Sequence, residues 1–171
     1  MHKRIGLYQG SKRTFVNEKM VQIIPYQANY HQAFRELNLL WLHEYNLTES
    51  HDLLVLNNPQ STILDRGGFI WLAMENESVI GTAALLREEH EVYELAKMTV
   101  APACRGRGIS KQLINTCIEK AKMLSAKKII LFSNHQLQAA IHLYSLYGFR
   151  HVEVTNSPFT TADVKMELLL R

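Results

Sequence analysis

The chain has little that would suit an oxidising, metal-held or membrane-bound protein. It contains two cysteines, Cys104 and Cys117. Two are too few for a disulfide framework, and they form neither a C-x-x-C pair nor a Cys/His zinc pattern. No apolar run reaches the roughly 20 residues needed to span a bilayer, and no signal-peptide pattern is visible. The eight histidines (His2, His31, His43, His51, His90, His135, His142 and His151) are scattered, without the spacing of H-E-x-x-H or a comparable ligand set. No metal is therefore expected. Ser133 lacks the G-x-S-x-G setting of a hydrolase nucleophile. These absences leave a cytoplasmic protein with no membrane partner as the expectation.

Positive charge is also scarce once its position is considered. The formal net charge is +3, but residues 1–20 hold Lys3, Arg4, Lys12, Arg13 and Lys19 against Glu18. The remaining body is near neutral. A nucleic-acid surface needs a sustained basic stripe or an aromatic-basic alternation, and neither is present. Residues 1–20 read as a basic, flexible or loosely docked extension, and residues 21–171 as one domain. With 47% apolar and 20% charged residues, that domain is long enough to bury its own core.

What is present begins with an alternation of elements. Residues 21–25 (VQIIP) read as a strand that proline ends, and residues 30–45 carry a helical stripe of Phe34, Leu37, Leu40, Trp41 and Tyr45. A short helix around residues 52–56 stops at Asn57-Asn58-Pro59. Residues 69–74 (FIWLAM), 79–86 (VIGTAALL) and 92–100 (VYELAKMTV) form three strands of an antiparallel meander, with Gly81 marking a bend or bulge. Residues 108–124 give the clearest helix: Ile109, Leu113, Ile114, Cys117, Ile118, Ala121 and Leu124 share a face. Residues 128–132 (KIILF) form a central strand, and the crossover helix makes it parallel to 92–100. A helix over 137–147 ends at Gly148. Strands at 150–154 and 164–169 close a mixed α/β sheet covered by helices.

Between the third meander strand and the long helix lies Arg105-Gly-Arg-Gly-Ile-Ser110. Such a loop offers unpaired backbone N–H groups, flanking positive charge and a helix N-terminus to one point, which suits a phosphate or pyrophosphate. The triphosphate loop G-x-x-x-x-G-K-[ST] is absent, and so is the third glycine of G-x-G-x-x-G. The six residues instead resemble the [Arg/Gln]-x-x-Gly-x-[Gly/Ala] acyl-coenzyme A loop of the GNAT superfamily of N-acyltransferases. Ser110 stands where that family prefers Gly or Ala. Downstream, Leu131-Phe-Ser-Asn134 and the run from Ala140 through Tyr144 to Gly148-Phe149 are similar to the family's later segment. The resemblance covers roughly residues 21–170.

The resemblance implies a mostly antiparallel sheet of six or seven strands, with a splayed pair of parallel central strands. Acetyl-coenzyme A would enter that split. Met98, Thr99 and Val100 would face its pantetheine arm, and Arg105, Gly106, Arg107, Gly108, Ile109 and Ser110 would hold its pyrophosphate. Asn134 would position coenzyme A or an ordered water. Tyr144 would be the general acid at the departing sulfur, and Glu94 the general base for the amine, with a surface salt bridge as the other reading of Glu94. Glu94, Ala96 and Met98 are expected on one strand face until a bulge intervenes.

The implied activity is acetyl transfer from acetyl-coenzyme A to a primary amine, by direct attack in a ternary complex. A small or amino-acid-like acceptor is favoured. A peptide or protein amine, a longer acyl group, a hydroxyl acceptor, and a coenzyme A-binding module without turnover stay open. Trp41, Glu44, Tyr45, Asp52 and the loop before the last strand border the acceptor side. Glu44 and Asp52 would either attract a cationic amine or lie in solvent. A monomer and a homodimer are equally consistent with the sequence.

Overall fold

A computed structural model describes residues 20–170. The basic segment expected over residues 1–20 lies outside them, apart from Met20. The sheet has seven strands in the order β1-β2-β3-β4-β5-β7-β6. The elements are β1 (Gln22–Pro25), α1 (His31–Glu44), α2 (Ser50–Asn57), β2 (Phe69–Glu75), β3 (Ser78–Arg87), β4 (Val92–Val100), α3 (Ile109–Met123), β5 (Lys128–Ser133), α4 (Gln138–Leu146), β6 (Arg150–Val152) and β7 (Val164–Leu169). β1 to β4 run antiparallel, β4 and β5 parallel, and β7 pairs antiparallel with both β5 and β6. A π-helical turn at Gln60–Leu64 and a 3-10 turn at Pro102–Cys104 carry no signal in the sequence pattern.

Two apolar layers sandwich the sheet. α3 and α4 cover one face, where Ile109, Leu113, Ile114 and Cys117 meet Leu85, Leu95 and Ile129. α1 and α2 cover the other, where Phe34, Leu42, Val55 and Leu56 meet Leu72 and Ala84. The buried residues of α1 are Phe34, Asn38 and Leu42, spaced four apart. The expected stripe is therefore rotated: Leu40 is 53% exposed. The pattern misled because a polar residue, Asn38, sits at the centre of the buried line.

The β2–β3 register shifts beside Gly81, since Ala73 faces Gly81 while Met74 faces Val79. A Cβ on Gly81 would lie 3.2 Å from both Ile109 and Leu113 side chains. Glycine there lets the start of α3 settle close to the sheet.

A second irregularity shapes the middle of the molecule. Thr82 faces Thr99 and Ala84 faces Ala96, so one residue of β3 opposes two of β4, Lys97 and Met98. Lys97 takes the left-handed conformation (φ 51°) that β-bulges exploit. Before the bulge, Glu94 and Ala96 oppose Leu86 and Ala84, which belong to the α1/α2 layer. After it, Met98 and Val100 pack with the α3 layer. The bulge thus falls one residue before Met98 and separates it from the face of Glu94 and Ala96. β4 and β5 pair only from Val92 to Glu94 against Lys128 to Ile130. Beyond that they diverge, leaving the rest of β4 without a strand partner on that side.

Candidate active site

The divergence of β4 and β5 opens a cleft of about 540 Å³ through the centre of the sheet. Its walls come from α1, the start of α2, β4 from Glu94 to Val100, the glycine loop, the end of β5, α4 and the β6–β7 loop. A cavity of that size suits one extended small ligand with a second small molecule beside it.

At one end stands the glycine loop. Gly106 (φ 77°) and Gly108 (φ 76°) are both left-handed, and a Cβ at either would meet nothing within 4 Å. Backbone conformation, not space, therefore requires glycine there. The N–H groups of residues 106–111 donate to no acceptor among the described residues, the first loop-to-helix bond being Gln112 N–H to Gly108 O at 3.2 Å. They crown the N-terminus of the fifteen-residue α3. Arg105 donates a fork of hydrogen bonds to Glu44 (3.3 and 2.9 Å), with both side chains about two-fifths exposed. Its Nε also reaches Val100 O at 3.4 Å. Arg107 turns to Glu75 at the end of β2, off the cleft lining. Ile109 contributes its backbone only, because its side chain is buried under the sheet. Ser110 lines the cleft.

Tyr144 projects from α4 into the middle of the cleft. It is 9% exposed, packs against Phe149 with ring centroids 5.9 Å apart, and its hydroxyl has no hydrogen-bond partner among the described residues. Burial pushes its pKa up, with the neighbouring Cys117 thiol adding to the effect. The phenol is therefore protonated at neutral pH and free to donate. Tyr147, one turn on, is tied to Lys111 O at 3.3 Å.

Glu94 lies across the cleft on β4, 4% exposed and without an ion-pair partner among the described residues. The surface salt bridge weighed from the sequence is not formed. Burial first, then the charge of Glu88, push the Glu94 carboxyl up to about 7, while Lys97 pulls it down. A hydrogen bond to Glu88 and the charge of Asp52 add to the upward shift. A carboxyl so placed exchanges its proton near neutrality, as a general base requires.

Asn134 directly follows β5 and lines the cleft, but its side chain has protein partners. It donates to Thr161 O at 2.7 Å and accepts from Gln136 N–H at 3.0 Å. It joins β5, the start of α4 and the β6–β7 loop.

A polar network absent from the sequence reading surrounds the bulge. Lys97 Nζ lies 2.6 Å from Asp52 Oδ1, with side chains only 7% and 4% exposed. Asp52 also accepts from Glu49 N–H at 3.1 Å, closing the first turn of α2. Thr82 donates to Lys97 O at 2.7 Å, and Asn38 donates to Thr82 at 3.0 Å. Asp52 is thus neither solvent-exposed nor free to attract an amine alone, and Glu44 is held by Arg105. The only local signals were polar residues inside apolar patterns: Asn38 in a helical stripe, Thr82 and Lys97 in strands.

The profile of the acetyltransferase (GNAT) family matches residues 30–149. This chain belongs to the GNAT family. The uncharacterized N-acetyltransferase YjgM of Escherichia coli (strain K12) is 31% identical over 133 residues, covering 74% of this chain and 80% of that protein. A GNAT-family acetyltransferase structure from Staphylococcus aureus Mu50 superposes with a TM-score of 0.83 at 26% identity, covering 89% of this chain and all of that one. The PaiA N-acetyltransferase of Thermoplasma acidophilum, solved with coenzyme A, shares the fold (TM-score 0.69, 14% identity, 88% and 99% coverage). The seven-stranded sheet with its parallel β4–β5 pair is the GNAT fold expected from the loop and tyrosine motifs. Among the described residues no group of His, Cys, Asp and Glu could hold a metal ion, and no helix is long and apolar enough to cross a membrane.

Proposed function

We propose that this GNAT-family N-acetyltransferase moves an acetyl group from acetyl-coenzyme A to a small primary amine, with both bound together in the central cleft. The observation that carries the reading is the bulged, unpaired stretch of β4 running into a loop of free N–H groups. Coenzyme A is a ligand with matching parts: an amide-bearing arm and a pyrophosphate. The arm would lie along Met98, Thr99 and Val100, and the pyrophosphate on the N–H groups of residues 106–110. The exposed Arg105–Glu44 pair is easily exchanged, so Arg105 can turn to the phosphates. Arg107, held by Glu75, would contribute its backbone N–H and a more distant charge.

The chemistry then has two proton transfers. Glu94 takes a proton from the incoming ammonium, and the neutral amine attacks the thioester carbonyl. The C–N bond forms, the C–S bond breaks, and the Tyr144 O–H donates to the leaving sulfur. The proton released by the amide nitrogen restores the tyrosine through water. Asn134 acts through the frame it joins, holding the loop that closes the cleft.

The test is a turnover assay with acetyl-coenzyme A across small amines, amino acids and peptides, alongside calorimetric binding of coenzyme A. Acetylation of small amines with micromolar coenzyme A binding is the expected outcome. Binding with no turnover on any acceptor would leave a coenzyme A sensor instead. A preference for peptide N-termini would move the reading to protein acetylation.

A further inference from the structure

Once β4 and β5 part, the sheet itself no longer holds the two walls of the cleft together. The strands pair only as far as Glu94 and Ile130. Beyond that rung, one carboxylate spans the gap. Every side-chain hydrogen bond among the described residues that joins residues 20–100 to residues 128–170 comes from Glu49, half-buried just before α2. Its Oε2 accepts from Thr160 N–H at 2.9 Å. Its Oε1 accepts from Thr161 N–H at 2.7 Å and from the Thr160 hydroxyl at 2.9 Å. Both threonines belong to the β6–β7 loop, on the far wall.

The rest of that loop is tied at its two ends. Lys165 Nζ donates to Thr155 O at 3.0 Å near its start. Near its close, Asn134 donates to Thr161 O at 2.7 Å, and His135 N–H to Asp163 Oδ1 at 2.8 Å. Between these ties the chain makes its own turn. Asn156 is left-handed (φ 54°), and the Ser157 hydroxyl accepts from Phe159 N–H at 3.0 Å while donating to Phe159 O at 2.9 Å. Among the described residues, Glu49 is the one hydrogen-bond partner that residues 156–160 have outside their own turn. The tip is therefore a preformed piece, hinged at both ends and fastened across the cleft at one point.

Phe159 carries the tip into the cleft lining. Its ring meets the edge of His51 at 5.1 Å and Phe132 at 6.4 Å, and Lys97 Nζ lies 5.5 Å from its centroid. With the tip in this place, Glu94 and Tyr144 are only 4% and 9% exposed. The helices and the sheet are fixed by buried apolar packing, whereas Thr160 is exposed and Glu49 only half-buried. Hydrogen bonds to a carboxylate are about twice as strong as neutral ones. Where water reaches them, it replaces them at modest net cost. That balance suits a fastening that opens and recloses, as cleft-covering loops do on a microsecond to millisecond scale.

We propose that the β6–β7 loop is a lid on the cleft and that Glu49 is its latch. As a positioning residue, Glu49 releases Thr160 and Thr161 when the amine enters, then regrips them to hold it beside the thioester. This rests on the acetyltransferase reading above and adds to it a moving part for the acceptor. Coenzyme A, placed on the glycine loop and along Met98 to Val100, would bind without touching the latch.

Amide hydrogen exchange at Thr160 and Thr161 reads the latch without turnover. Glu49→Gln keeps the side-chain length but turns an NH₂ toward N–H and O–H donors, so one of the two accepting oxygens is lost. Exchange at these two amides should quicken about 10-fold, with β5 and β7 unchanged. With the small primary amine turned over fastest in the screen above, Glu49→Gln should raise the amine KM about 10-fold. Both kcat and the KM for acetyl-coenzyme A should stay within about a factor of two. Thr160→Ala removes a single bond and should move exchange and amine KM about 3-fold, with the unfolding temperature unchanged in both variants. Unaltered exchange in Glu49→Gln would overturn the latch. Quickened exchange with an unchanged amine KM would overturn the lid, and so would equal rises in the two KM values. Failure of the native protein to acetylate any amine despite coenzyme A binding, with exchange still quickened by Glu49→Gln, would overturn the acetyltransferase reading and leave the latch standing.

Discussion

The two ends of the cleft each hold an ion pair, and the pairs behave oppositely. Arg105 and Glu44, at the glycine-loop end, are both about 40% exposed. Solvent screens them, so the guanidinium can leave its carboxylate for a phosphate at little cost. Lys97 and Asp52, at the other end, are almost fully buried. Neither can leave without stranding the other in a low-dielectric interior. The difference separates an exchangeable surface charge from a framework charge. The first is free to exchange partners, as the proposed function requires. The second holds a left-handed β-bulge whose carbonyl Thr82 also grips, and this bulge opens the sheet.

The sharpest way to break that contrast is to remove one cation from each pair. Lys97→Met should destabilise the fold by ~3–5 kcal/mol, the usual cost of orphaning a buried carboxylate. Arg105→Met should leave the unfolding midpoint nearly unchanged and raise the KM for acetyl-coenzyme A. Chemical denaturation read beside steady-state kinetics checks both. Similar losses of stability in the two variants would erase the distinction. Adding Asp52→Leu to Lys97→Met should recover much of the stability, because no unpaired charge remains.

Tyr144, where the two halves meet, bears on rate rather than stability. Tyr144→Phe should lower kcat ~10²–10³-fold while coenzyme A affinity measured by calorimetry stays within about a factor of two. An unchanged kcat on a genuine substrate would remove Tyr144 as the donor to sulfur.

Glu94→Gln tests the acceptor end through pH. With the carboxyl up at about 7, kcat/KM of the native enzyme should rise with pH through that value as Glu94 loses its proton. The variant should fall about 10²-fold and lose that acidic limb. Stability should move the other way. The folded carboxyl holds its proton between its ordinary value of 4.5 and about 7, where the unfolded chain has released it. Native stability therefore declines as pH rises across this window and stays lower above it. Glu94→Gln should abolish that decline and raise stability at pH 8 by ~1–3 kcal/mol.

The smallest effect belongs to the donor loop. Gly108→Ala at φ 76° should cost about 1 kcal/mol of backbone strain, with no steric clash, and raise the KM for acetyl-coenzyme A several-fold. A stability loss with unchanged KM would mean the N–H cradle tolerates reorientation.

Legibility followed the same division. The glycine loop, α3 and β4 were readable because their signals are local: left-handed glycines, a helix-spaced apolar face and a strand period. Arg107 was readable as a charge but not as the partner of Glu75, thirty-two residues away on β2. Asn38 was hidden inside an apolar stripe, and its absence from the expected pattern turned the reading of α1 toward Leu40. Asp52 looked like an exposed helix acid. It is buried because a bulge swings Lys97 toward α2.

By itself the sequence determined the order of the elements and the left-handed glycine loop leading into α3, since each depends on neighbours within one or two turns of chain. Only the tertiary structure decided the buried end of the cleft around the β4 bulge. There α1, α2, the β4 bulge, the end of β5 and the β6–β7 loop each contribute a residue or two. The buried Lys97–Asp52 pair and the raised Glu94 carboxyl arise only through packing and low dielectric, which no local pattern encodes.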